Sequence, residues 1–116
     1  MKKTILIIED FAELLRLWKK LLSNEAFVLT AETLQQAEEL FQRHKKEIDL
    51  IAVDGEVNGP VNNTVILIKK ITEEFPSAKI LAISGDDNNN KILINAGCGH
   101  SVTKPDTWKK IAELLA

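Results

Sequence analysis

A single cysteine, Cys98, stands in the 116 residues, so no disulfide closes within the chain and no thiolate cluster can hold a metal. Long apolar runs are missing as well. Ile5 to Ile8 is too short for the apolar region of a signal peptide, and no stretch is long enough to span a bilayer. Lysine and arginine number 15 against 17 aspartates and glutamates, a net charge of −2, and they form no stripe. That excludes the electrostatic footprint of a nucleic-acid binder. No glycine-rich phosphate cradle follows the first apolar run, where Glu9-Asp10-Phe11 would repel phosphate unless a cation intervened. Neither a repeat nor a linker divides the chain. One domain over residues 1–116 with no attached output module, resident in the cytoplasm, is the expectation.

What is there is a core. Apolar residues make up 45% of the chain, enough to argue against disorder. Short apolar runs alternate with amphipathic stretches, the pattern of an α/β fold with a parallel sheet. Strands are expected over residues 4–8, 27–31, 49–53, 79–83 and 100–103. Phe11, Leu14, Leu15, Trp18, Leu21 and Leu22 recur at helical spacing between the first two. Thr33 to Gln36 reads as a capping box, opening a helix whose Leu34, Ala37, Leu40 and Phe41 share one face. Thr64 to Ile68 is rich in β-branched residues and suits a strand on propensity alone. The spacing of Thr64, Ile68, Ile71 and Phe75 and the need for a right-handed crossover assign it to a helix instead. A fourth helix is expected over 86–96. A fifth is expected to bury Trp108, Ile111, Ala112 and Leu115.

Polar residues close four of the apolar runs. Glu9-Asp10 follow Ile5 to Ile8, Asp54 follows Leu50 to Val53, Ser84-Gly85 follow Ile80 to Ile83, and Lys104-Pro105 follow Ser101 to Thr103. If these runs are parallel strands of one sheet, the four ends meet at one edge, where open α/β sheets bind ligands. Three carboxylates, a hydroxyl and an ammonium in one crevice suit a divalent cation and a phosphoryl group. Taken singly, each has a plainer explanation. An acidic pair is favoured at a helix N-terminus, an aspartate forms turns, a serine caps helices, and a proline opens them.

In this order and at these intervals, Ile8-Glu9-Asp10, Asp54, Ser84-Gly85, Asn95-Ala96-Gly97 and Thr103-Lys104-Pro105 resemble the receiver domain of two-component response regulators. The resemblance runs essentially end to end. It implies a flavodoxin-like (βα)5 fold with a doubly wound five-stranded parallel sheet in the order 2-1-3-4-5. It implies Asp54 as phosphoacceptor, with Ser84 and Lys104 contacting phosphoryl oxygens. Mg²⁺ would be held by Asp10 and Asp54, by Glu9 through water, and by the backbone carbonyl of Glu56. The phosphoryl donor would be a histidine kinase or a histidine phosphotransfer protein. The output would be an unknown downstream protein, reached by contact or phosphorelay, with neither nucleic acid nor membrane as partner. Such a chain is a phosphoacceptor capable of self-catalysed phosphorylation and dephosphorylation, not an enzyme in the ordinary sense. The family's Lys-Pro peptide is commonly cis.

Two functions compete with this one. A receiver-like module docking on a partner without phosphorylation is favoured by departures from the family pattern. Ser101 stands where the family carries its switch aromatic, and Gly55 to Pro60 makes a longer loop after Asp54 with a displaced proline. Gly55 is expected to add backbone freedom there, and Gly85 to leave space for a phosphoryl group. A flavodoxin-like nucleotide or flavin binder is the third reading, disfavoured by the missing cradle. His44, near the end of the second helix, suits favourable contact with its exposed carbonyls. His100 opens the last strand and reads as peripheral. Cys98 reads as a small buried hydrophobe.

Overall fold

The structure is a computed structural model describing residues 2–116. Strands β1 (Lys3–Ile8), β2 (Ala26–Ala31), β3 (Ile48–Asp54), β4 (Ile80–Ile83) and β5 (His100–Val102) alternate with five helices. These are α1 (Ala12–Leu22), α2 (Leu34–His44), α3 (Val61–Glu74), α4 (Asp87–Ala96) and α5 (Thr107–Leu115), the last entered by a 3-10 turn at Lys104–Asp106. All strand pairings are parallel, in the order β2-β1-β3-β4-β5. The fold is the flavodoxin-like arrangement expected, with strand limits displaced by a residue or so.

The unbroken apolar runs follow from helices covering both faces of the sheet. Successive side chains point to opposite faces. Leu6, Ile8, Ile51, Val53, Ile80 and Ala82 therefore pack with Ala37, Phe41, Leu67, Ile68, Ile71 and Leu93 of α2, α3 and α4. Ile5, Ile7, Leu50, Ala52, Leu81 and Ile83 pack with Leu15, Trp18 and Leu22 of α1 and Ile111 of α5. Truncating Phe41, which is fully buried, would cost about 3–5 kcal/mol.

The β-branched α3 is helical because Thr64, Leu67, Ile68 and Ile71 bury one face, and packing outweighs local propensity. Phe75 lies just past its end, half-buried, as the C-cap. Two expectations are corrected on α1 and α5. Trp108 is 42% exposed, and Thr107 with Ile111 carry the buried stripe of α5, Ala112 and Leu115 being half-buried. Phe11 and Leu21 are likewise exposed, whereas Trp18 is 2% exposed. The capping box is half formed. The Gln36 amide donates to Thr33 Oγ1 at 3.0 Å, but Gln36 Oε1 accepts from Glu32 rather than Thr33. Gly97, at φ 135°, ends α4 and leaves no room for a Cβ, which would lie 2.7 Å from Thr72 Cγ2. No cis peptide bond occurs among the described residues, so Lys104–Pro105 is trans.

Candidate functional site

Parallel pairing brings the C-terminal ends of β1, β3, β4 and β5 together. In register, Ile8 lies beside Val53, Asp54 beside Ile83, and Ile83 beside Val102. The ladder is prolonged past the strands by Glu9 N–H to the Ala31 carbonyl (3.0 Å), Gly55 N–H to Ile83 (2.9 Å) and Ser84 N–H to Val102 (3.2 Å). The backbone thus fixes the residues that carry the polar groups. Asp10, Asp54, Glu56, Ser84, Gly85, Asp86 and Lys104 line a shallow cavity of about 390 Å³.

Glu9 and Asp54 are 0% and 4% exposed. Lys104 reaches both, its Nζ lying 3.5 Å from Glu9 Oε1 and 3.4 Å from Asp54 Oδ2. One ammonium faces two buried carboxylates and leaves the pair under-neutralised. Burial, followed by the hydrogen bond and charge of Asp54, pushes the Glu9 carboxyl up to about 7, against the opposing pull of Lys104 and the Phe11 amide. Glu9 Oε2 is buried and no donor of the described residues faces it. A proton shared with Asp54, or a cation, would satisfy it. Burial weakens the Lys104 ammonium, but Asp54 and Glu9 outweigh it and its pKa lies above the ordinary lysine value. Carboxylate oxygens of Glu9, Asp10 and Asp54 lie within 4.8 Å of one another, an all-oxygen set that suits a hard cation.

On the other side, Ser84 Oγ accepts the Asp86 amide at 3.0 Å. Its own proton remains available to an anion. Asp86 in turn caps α4 through the Asn88 amide at 2.8 Å. A Cβ at Gly85 would meet nothing within 4 Å, so that side of the cavity is open. Gly55 differs from expectation. Its φ is not left-handed, and a Cβ there would come 3.2 Å from Leu93 Cδ1, a tight contact that Leu93 would have to yield to, so glycine contributes space rather than left-handed freedom.

The Glu56 side chain stands apart from the carboxylate cluster. It accepts from Asn89 Nδ2 at 2.5 Å, while its amide donates to Asp54 Oδ1 at 3.2 Å. Asn58, at φ 56°, donates its amide to Asp10 Oδ2 and its side chain to the Glu32 carbonyl, both at 3.0 Å. Sequence reasoning missed Asn58 and Asn89. The Asn58-Gly59 dipeptide was the one available signal, because both residue types tolerate left-handed backbone in turns. Ser101 is exposed and lines a cleft of about 490 Å³ with Asp87, Asn90, Lys91, Ile94 and Asn95. His44 lies 3.4 Å from Glu47 at the surface, and His100 is half-buried on β5. Cys98 is buried, its thiol pushed up to about 12 by burial, an inert packing residue as expected. No helix among the described residues is long and apolar enough to cross a membrane.

This fold and this edge define a flavodoxin-like α/β domain with a carboxylate-lined crevice at the ends of its strands. The chain belongs to the response regulator receiver domain family, whose model matches residues 5–116. It is 25% identical to the chemotaxis protein CheY of Pseudomonas aeruginosa over 113 residues, covering 96% of this chain and 91% of that protein. It is 30% identical to the response regulator GtcR of Aneurinibacillus migulanus over 90% of its own length. It spans only 43% of GtcR, and 19% of the two-component response regulator ARR13 of Arabidopsis thaliana, a 25% identical relative. Among solved structures, a CheY-like receiver domain protein of Methanospirillum hungatei superposes with a TM-score of 0.78 at 26% identity, covering 99% of this chain and 94% of that one. A receiver domain protein of Clostridium thermocellum superposes at 0.82 and 23% identity, over 97% and 90% of the two chains, a likeness of fold.

Proposed function

We propose that the chain accepts a phosphoryl group on Asp54 from a histidine kinase or histidine phosphotransfer protein, and signals by protein contact or phosphorelay. The observation that carries this is the convergence of buried Asp54, exposed Asp10, Lys104 and a donor-ready Ser84 around one cavity, with buried Glu9 behind it against Lys104 and Asp54. An Asp54 carboxylate oxygen forms a bond to phosphorus, the bond from phosphorus to the donor imidazole nitrogen breaks, and its electron pair stays with the imidazole. The product is an acyl phosphate. Lys104 and Ser84 supply a cationic and a neutral donor to its oxygens. The burial of Asp54 among strand ends restricts water.

The residues present fit Mg²⁺. Asp10 and Asp54 would bind it directly, Glu9 through water, and Glu56 through its backbone carbonyl. When bound, Mg²⁺ reduces the repulsion between the attacking carboxylate and the incoming phosphoryl oxygens. The protein takes up one phosphoryl group per event and regains its free carboxylate on hydrolysis, as a phosphoacceptor with self-catalysed gain and loss of the group.

Incubation with acetyl phosphate and Mg²⁺ should add one phosphoryl mass, and Asp54→Asn should abolish the addition. Labelling that survives the substitution and maps elsewhere would sink the assignment. The exposed Ser101 and its open cleft favour a second reading, a module that docks without phosphorylation. Partner binding of equal strength before and after phosphorylation, and in Asp54→Asn, would establish that reading instead.

A further inference from the structure

Asp10 is exposed at the end of β1, whereas Glu9 beside it is buried. A free surface carboxylate samples several rotamers, and ordering it is a cost that any cation must meet. The loop after β3 removes part of that cost. Asn58 holds a left-handed backbone at φ 56°, a region tolerated by asparagine and unfavourable for most residues. Three features keep it there. Val57 before it is 1% exposed in the core, and Gly59 after it takes φ 155°, where a Cβ would lie 2.9 Å from Asn63 Nδ2. The Asn58 side-chain amide is fastened to the Glu32 carbonyl beyond β2. The turned backbone then delivers the Asn58 N–H to Asp10 Oδ2, 48 residues away in sequence, at 3.0 Å. No other hydrogen bond to Asp10 is made by the described residues, so its second oxygen remains available.

We propose that Asn58 is a positioning residue for Asp10, its amide presetting the carboxylate for a divalent cation. This rests on the cation-dependent reading of the site. The amide holds one oxygen by a neutral hydrogen bond and leaves the charge on the carboxylate. The loop thereby links the cation site to β2 through Glu32.

The test compares Mg²⁺ affinity by calorimetry in the wild type, Asn58→Ala and Asn58→Gly. Alanine loses the anchor and strains the left-handed turn, and should bind Mg²⁺ about threefold to tenfold more weakly. Glycine loses the anchor but adopts the turn without strain, and should recover part of the affinity. A purely structural role would not order the variants in this way at equal folding. As a direct probe, the Asn58 amide proton in metal-free protein should move upfield in Asp10→Ala as its carboxylate acceptor is lost. Equal Mg²⁺ affinity in all three proteins, or an Asn58 amide indifferent to Asp10→Ala, would overturn the proposal while leaving the phosphoacceptor reading intact. A wild type that binds no Mg²⁺ and takes no phosphoryl group would overturn both.

Discussion

The two sides of the site's rim are built differently. On the β1–β3 side, two buried carboxylates sit at the ends of long central strands, Val57 plugs the following loop into the core, and Asn58 and Glu56 fasten that loop to Asp10, Glu32 and Asn89. On the β4–β5 side, Gly85 faces open space, Ser101 borders a cleft, and Lys104 is 40% exposed with both ion pairs beyond 3.3 Å. The lesson is mechanical. A change of charge at Asp54, as proposed, would be felt where groups are already joined, which places the loop after β3 better than Ser101 to report it. In receivers with an aromatic at the Ser101 position, burying that ring supplies a large apolar area. Serine supplies none.

The largest effect expected on the tight side is a pH dependence. The Glu9 carboxyl is raised to about 7 in the folded protein from an ordinary 4.5. The folded state therefore holds a proton the unfolded chain has lost, so the stability this group contributes is full below pH 4.5 and disappears as pH rises through 7. The loss amounts to at most about 3 kcal/mol. Denaturant titrations of metal-free protein at pH 5 and pH 8 measure it, and Glu9→Gln should flatten the profile. A slope as steep in that variant would assign the effect elsewhere.

A smaller effect tests packing on the two sides. Val57→Ala should destabilise by about 2 kcal/mol, and Ser101→Ala by less than about 0.5 kcal/mol, as for an unconstrained surface position. Thermal and urea unfolding of both variants sharpen the contrast. A costly Ser101→Ala would break it.

Signalling is the next test. Amide shift changes on adding beryllofluoride and Mg²⁺ should concentrate at 55–63 and 84–88. A coupled rearrangement of β5 and α5 would show that the loose side transmits after all. The smallest effect concerns Lys104. Lys104→Ala should still accept phosphate from acetyl phosphate, more slowly, and show weaker shift changes; a response of wild-type size would remove Lys104 from the transmission route.

The same contrast explains what could be read in the sequence. The sheet was legible because Ile5 to Ile8, Leu50 to Val53 and Ile80 to Ile83 are buried on both faces, leaving no alternation to confuse. The rim residues were legible because each directly ends such a run. α3 needed the spacing of its buried face, since propensity pointed to a strand. Trp108 was misplaced because a helix only nine residues long cannot show which of its apolar members turns outward once Thr107 takes the inner position. The tethers of Asn58 and Glu56 were invisible, because they join residues 48, 26 and 33 apart through one left-handed residue and two side-chain amides.

The shortness of β5 has a kinetic side. Three residues on an outer edge, paired with β4 alone, make the strand most readily lost in local opening, because few ladder bonds hold it. When it frays, Lys104 departs with it, and Glu9 and Asp54 are left facing each other without a cation. Above about pH 7, where the Glu9 carboxyl is ionised beside Asp54, their mutual repulsion then opposes the open form. Amide exchange at His100 to Val102 should accordingly be the fastest of the five strands, and above about pH 7 faster still in metal-free Glu9→Gln protein, where less charge is stranded by the opening.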